Sequence, residues 1–193
     1  MVTSVKKTTL YRERNEQKRQ EFADAIKGIP ADSLVFLDES GIKEYLYRQY
    51  GYALPGEKII GEISGYHFKK TNLIGAYVNG TIIAGATYEY NIDTKFVEAW
   101  VEQSLIKELK EGQIVILDNA TFHKSDKIKT LIESIGCKVM FLPPYSPDLN
   151  PIEKVWANLK KFLRKNIKRF GSLWEAIVSY FKNYHKCNSF NER

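Results

Sequence analysis

The sequence predicts a single α/β domain built on a mixed sheet of about five strands flanked by helices. Three observations predict it. Short, unbroken apolar runs at residues 34–37, 114–117 and 139–142 have the composition of strands covered on both faces. A helical pattern lies between the second and third runs, and strand–helix–strand over that length implies a parallel pair joined by a crossover. Asn79-Gly80 between β-rich runs at 73–78 and 81–88 marks an antiparallel hairpin.

The chain of 193 residues suits one domain with a short appendage, and 44% hydrophobic with 27% charged residues is ordinary for a soluble protein. Two cysteines, Cys137 and Cys187, make no disulfide framework. The three histidines (His67, His123, His185) are far apart and lack zinc-ligand spacing to cysteine. No apolar run approaches the roughly 20 residues of a membrane span, and no signal peptide is visible, so a cytoplasmic protein with no membrane partner is expected. The net charge of +6 is unevenly placed. Residues 1–30 carry seven Lys/Arg against four acids and residues 154–193 ten against two, while residues 31–153 carry twelve against seventeen. Basic flanks around an acidic centre suit a protein that grips a polyanion and keeps carboxylates for cations; a merely solvated basic surface accounts for the charge equally well.

In chain order, residues 11–27 read as a polar helix with a thin apolar side at Phe22, Ala25 and Ile26, stopped by Gly28 and Pro30. So polar a helix is expected to pack weakly or to bridge to something outside the chain. Residues 1–33 are accordingly read as a basic helical linker and 34–193 as the domain. The run 34–37 ends in Asp38-Glu39-Ser40, which also fits the acidic strand of a P-loop ATPase. That chemistry is excluded because the chain has no G-x-x-x-x-G-K-[ST] loop; the nearest stretch, 51–58, has Glu57 in place of the lysine and follows the strand. Residues 45–68 are rich in tyrosine and glycine, and either pack in an irregular loop or flank nucleic acid. After the hairpin, Thr94 is expected to cap a helix to about residue 110, with Phe96, Val97, Trp100, Val101, Leu105 and Leu109 inward. A helix at 124–135 presents Ile128, Leu131, Ile132 and Ile135, and Gly136 ends it. A long helix from Pro151 carries Ile152, Val155, Trp156, Leu159, Phe162 and Leu163. A last helix, about 172–185, carries Leu173, Trp174, Ile177, Val178 and Phe181.

Asp38 and Asp118 each follow four apolar residues, and ligands of open α/β sheets collect beyond the carboxyl ends of parallel strands. If the two strands are neighbours, so are the two acids. Glu153 follows Asn150-Pro151-Ile152 in a capping-box spacing, so by itself it needs no function beyond capping. Clustered carboxylates raise one another's pKa unless a hard cation such as magnesium or manganese relieves them. At about 100° per residue, Glu153, Ala157, Lys160 and Arg164 share one helix side. The carboxylate can then face cations while Lys160 and Arg164 follow a nucleic-acid backbone; Lys154, Lys161 and Lys165 fall on solvated sides.

Leu37-Asp38-Glu39-Ser40, Leu117-Asp118-Asn119-Ala120-Thr121-Phe122-His123 and Pro144-Tyr145-Ser146-Pro147-Asp148-Leu149-Asn150-Pro151-Ile152-Glu153 resemble the three signatures of mariner-superfamily transposases, in the bacterial insertion-sequence branch. The likeness runs from roughly Lys6 to Tyr184. The 34 residues between Asp118 and Glu153 match the interval of that branch's aspartate–aspartate–glutamate triad. The resemblance implies a ribonuclease-H-like fold. It implies that Asp38, Asp118 and Glu153 are catalytic and hold two Mg2+ or Mn2+ ions for cleavage at transposon ends and strand transfer into target DNA, usually at TA. It assigns Asn119 and His123 supporting or DNA-contacting roles, and implies a homodimer on DNA. Relatives carry paired helix-turn-helix modules before the catalytic part, whereas about 33 residues precede the first strand here. A DNA-binding subunit encoded separately, a decayed copy or an engineered piece would account for that. A non-catalytic, DNA-binding regulatory fragment and a cellular nuclease of the same fold are the alternatives.

Overall fold

The computed structural model describes residues 11–43, 54–56, 58, 60 and 70–188, with side chains to residue 184. Most of the tyrosine- and glycine-rich stretch, His67, and the side chains of His185 and Cys187 lie outside the described residues. Five strands form one sheet in the order β3-β2-β1-β4-β5. These are β1 (Leu34–Lys43), β2 (Lys70–Val78), β3 (Thr81–Tyr88), β4 (Ile114–Leu117) and β5 (Lys138–Phe141). β1 pairs antiparallel with β2 and β2 with β3; β1 with β4 and β4 with β5 are parallel. This is the mixed sheet of a ribonuclease-H-like fold. Asn79 (φ 40°) and Gly80 (φ 84°) both take the left-handed conformation that a two-residue hairpin turn demands.

Side chains alternate across β1, and the alternation assigns the layers. Val35 and Leu37 join Val115, Leu117 and residues of α2 (Thr94–Gln103) and α3 (Asp126–Glu133) in one core. Ile42 on the other face joins α4 (Ile152–Asn166) and α5 (Leu173–Asn188) through Val155, Trp156, Leu159 and Ile177. Leu34 and Phe36, on that second face, are covered by Phe22 of α1 (Glu16–Ile26) and by Leu142. Among the described residues no helix is long and apolar enough to cross a membrane.

Several expectations are corrected. α1 begins at Glu16, where the Asn15 side chain accepts from Lys18 N–H, and Ala25 is exposed. It is not loosely attached: Phe22 is buried, and Arg19 makes a two-pronged ion pair with Asp148 at 2.9 and 2.7 Å. The first strand runs on to Lys43 because β2 pairs with it from Phe36 to Lys43, so Asp38 sits within a strand, not after one. β5 is an edge strand with exposed ends, and of its apolar run only Leu142, just beyond it, is buried. Asp93, not Thr94, caps α2, accepting from Phe96 N–H at 2.8 Å; the helix ends at Gln103, and a 3-10 turn (Leu105–Lys107) follows. Trp174 faces solvent, because Leu173, Ala176 and Ile177 supply the buried side of α5.

Candidate active site

Asp38 stands opposite Gly75 of β2 and points, like Phe36 and Ile42, to the side where α4 packs. Trp156 Nε1–H donates to Asp38 Oδ2 at 3.2 Å. A Cβ on Gly75 would be in ordinary contact with the same indole, at 3.6 Å, and tighter against Ile82 Cγ2, at 3.3 Å. Asp38 is 9% exposed. Burial first, then the charges of Glu153, Glu39 and Asp118, push its carboxyl up to about 7.

Asp118 follows the last residue of β4. Its Oδ1 accepts from Ala120 N–H at 2.8 Å, an Asx turn, and from His123 Nδ1–H at 2.6 Å. His123 ends a 3-10 turn (Thr121–His123) and is 1% exposed. Its Nε2–H donates to Glu39 Oε1 at 2.8 Å. Ionised carboxylates only accept, so a ring held between two of them donates from both nitrogens and is an imidazolium. Burial alone would lower its pKa, but the hydrogen bonds and charges of Asp118 and Glu39 prevail and raise it to about 9. Burial likewise works to raise Asp118, yet His123 and the Ala120 amide hold it below the usual carboxylate range.

Glu153 opens α4. The proline-rich loop makes a 3-10 turn (Pro147–Leu149), Asn150 N–H donates to Pro147 O at 3.0 Å, and Glu153 N–H donates to Asn150 O at 3.2 Å. A capping box would have required the Glu153 carboxylate on the Asn150 N–H, which Pro147 already occupies. Capping therefore does not account for Glu153. Its exposed side chain takes no hydrogen bond among the described residues and lines a cleft of about 370 Å3 together with Asp38 and Asp118.

The loop between β5 and α4 also lines that cleft. The Asn119 amide donates to Leu142 O, and Leu142 N–H donates to Leu117 O at 2.8 Å, tying the loop's start to the Asp118 turn. Tyr145, whose φ of 54° is left-handed, contacts Tyr11 with ring centroids 5.9 Å apart, and both rings line the cleft. Along α4, Lys160 is half-buried and Arg164 exposed, and neither enters an ion pair among the described residues.

The sequence-predicted acids thus share one cleft, with Asn119 at its wall and His123 buried behind it. Sequence reasoning missed Glu39, Trp156 and the Arg19–Asp148 pair. Alternation offered a signal for Glu39: if Asp38 faces one side of a buried strand, Glu39 faces the other and needs a partner there. Among the described residues no three His, Cys, Asp or Glu side chains form a ready-made cation cage. The donor set still fits hard cations. It is all carboxylate oxygen, and burial together with the like charges of Glu153, Glu39 and Asp118, which hold Asp38 near 7, sets up the conflict that a divalent ion relieves.

A mixed sheet that carries acids on its central strand, at the end of the next strand and at the start of a covering helix defines a ribonuclease-H-like protein with an acidic cleft. The profile of the DDE superfamily endonucleases matches residues 33–174, and the chain belongs to that family. It is 43% identical over 81 residues to the "Uncharacterized protein y4pE/y4sA" of Sinorhizobium fredii (strain NBRC 101917 / NGR234), a match covering 41% of this chain and 51% of that one. The match therefore spans about half the length of that curated relative. The fold is similar to that of the Mos1 transposase paired-end complex with left transposon end (TM-score 0.63, 17% identity, 100% of this chain and 67% of that one). It is also similar to the catalytic domain of Mos1 mariner transposase (TM-score 0.54, 16% identity, 94% and 95%) and to the mariner Mos1 paired-end complex with Mg (TM-score 0.60, 16% identity, 100% and 67%).

Proposed function

We propose that this chain is the catalytic domain of a transposase that cuts DNA strands at transposon ends and joins them to target DNA, expected at TA. One observation carries the reading: Asp38, Asp118 and Glu153, from three separate elements, line a single cleft. Family membership and the fold shared with Mos1 transposase support it.

Asp38, Asp118 and Glu153 are the residues that would hold two Mg2+ or Mn2+ ions. Bound there, the ions would supply a deprotonated water or 3′-hydroxyl and charge stabilisation at the leaving oxygen. Each acid is prepared differently by the chain. Asp118 is kept ionised by His123 and the Ala120 amide, Asp38 has one oxygen held by Trp156, and Glu153 is unencumbered. Lys160 and Arg164, following Glu153 along α4, would take the phosphates of the strand leaving the cleft, and Asn119 would meet DNA at the cleft wall. The protein would work as a homodimer on DNA, with end recognition from a DNA-binding part encoded with it or separately, in the cytoplasm beside the chromosome.

The test is nicking and strand transfer on transposon-end DNA, with a fused DNA-binding module if required, in Mg2+ or Mn2+. Cleavage is expected to need the metal and to be lost in Asp118→Asn. Unchanged cleavage in that variant would overturn the mechanism.

A further inference from the structure

The backbone ladder between β1 and β4 pairs Leu34 with Ile114, Val35 with Val115 and Phe36 with Ile116, and stops there. Carried on in register, Leu37 would meet Leu117 and Asp38 would meet Asp118. The two acids therefore stand at one level on adjacent strands, beyond the last hydrogen bond that joins those strands. β1 is held there from its other side by β2, through Asp38 and Gly75. The end of β4 is held from its far side by Leu142 N–H on Leu117 O. The seam between the two carboxylate-bearing segments has no backbone tie.

A side-chain tie spans it. Glu39 of β1 and Asp118 beyond β4 both accept from His123, at 2.8 and 2.6 Å. The imidazole is buried, both its nitrogens are engaged, and its ring meets Phe122 edge-on with centroids 4.7 Å apart. Glu39 lies on the sheet face opposite Asp38, so it does not enter the cleft that holds the three acids. Asp118 Oδ1 is occupied twice, by His123 and by Ala120 N–H, which leaves Oδ2 as the oxygen free to meet a cation.

We infer that Glu39 is a positioning residue: acting through His123, it locks the Asp118 carboxylate and the β1–β4 separation in the arrangement that binds the divalent ions. The inference rests on the metal-dependent reading of the cleft given above. Groups that orient a metal-bound carboxylate from behind typically change metal affinity or activity by about 10–100-fold when removed.

Two variants of the full chain separate positioning from charge. Glu39→Gln keeps the length and an acceptor for His123 but loses the charge; Glu39→Asp keeps the charge but is one methylene too short to reach. Mn2+ binding, followed by electron paramagnetic resonance of the free ion, is measured on both, on the unaltered protein and on Asp118→Asn, well below each melting temperature. The expected result is a loss of about 10-fold or more in Mn2+ affinity for Glu39→Asp and a loss of about threefold or less for Glu39→Gln. The turnover of DNA nicking should fall in the same order, with KM for DNA unmoved. Wild-type affinity in Glu39→Asp, or a larger loss in Glu39→Gln than in Glu39→Asp, overturns the inference while leaving the metal reading intact. If the unaltered protein and Asp118→Asn bind Mn2+ alike, or neither binds it, the metal reading itself fails and this inference falls with it.

Discussion

Asp38 gives the metal-free protein a pH dependence opposite to that of an ordinary stabilising carboxylate. Its pKa rises from 3.8 to about 7 on folding, so the folded state holds the proton more tightly than the unfolded state. The stabilising contribution is therefore fully present below about pH 4 and is lost as pH rises through 7. A gap of about three units at ~1.4 kcal/mol each bounds the loss at roughly 4 kcal/mol for this buried side chain. In a domain of this size 1 kcal/mol moves the melting temperature by about 2–4 °C, so the full effect is on the order of 10 °C. His123 contributes in a different window. Its pKa is raised from 6.5 to about 9, so its contribution is intact below 6.5 and is lost as pH rises through 9. Melting the protein in a chelator between about pH 4.5 and 6.5 thus isolates Asp38. The melting temperature should fall with pH in the unaltered protein and stay nearly level in Asp38→Asn. Added Mg2+ should restore stability above pH 7 in the former alone, because the ion replaces the proton at the crowded carboxylates. Parallel slopes in the two proteins, or equal rescue by Mg2+, would refute the claim that unrelieved negative charge at Asp38 defines the cleft.

Two further outcomes follow from α4. Trp156→Phe keeps an aromatic ring but removes the donor to Asp38 Oδ2, and should cost about 1–3 kcal/mol in urea unfolding, more at pH 8 than at pH 5, because the ionised carboxylate is the stronger acceptor; an equal cost at both pH values would show that packing alone is lost. The double variant Lys160→Gln, Arg164→Gln should lower the slope of log K against log salt for duplex DNA by about 2 without moving the melting temperature, and an unchanged slope would remove both residues from the DNA path.

Most of the sheet was legible because its strands are unbroken apolar runs and its hairpin turn needs residues that accept positive φ. What propensity could not show was pairing. β1 extends through the polar Asp38-Glu39-Ser40 only because β2 lies alongside, so the strand's end was misplaced by six residues, from Leu37 to Lys43. β5 looks as apolar as β4, and nothing in Val139-Met140-Phe141 says that, among the described residues, no strand follows on its far side. The docking of α1 was equally hidden, since it depends on where Phe22 and Ile26 meet the sheet and on an ion pair between residues 129 positions apart.

The difference between Asp38 and Glu39 shows where local reading of the site ends. Adjacent in sequence and both acidic, they are sent by the pleat to opposite faces, one toward Trp156 and Glu153, the other toward His123. A strand buried on both sides cannot leave either charge unanswered. On the α4 face the answer is incomplete: burial, with the charges of the neighbouring carboxylates, outweighs the Trp156 indole and Glu39 backbone N–H groups and leaves Asp38 with a pKa of about 7. On the other face the answer is complete, an imidazolium shared with Asp118. Among the described residues, the one buried cation thus stands behind the cleft, on Glu39 and one oxygen of Asp118, and none stands in front. That division leaves the carboxylates inside the cleft without a buried cation among the described residues, which is the charge conflict that the proposed divalent ions would relieve.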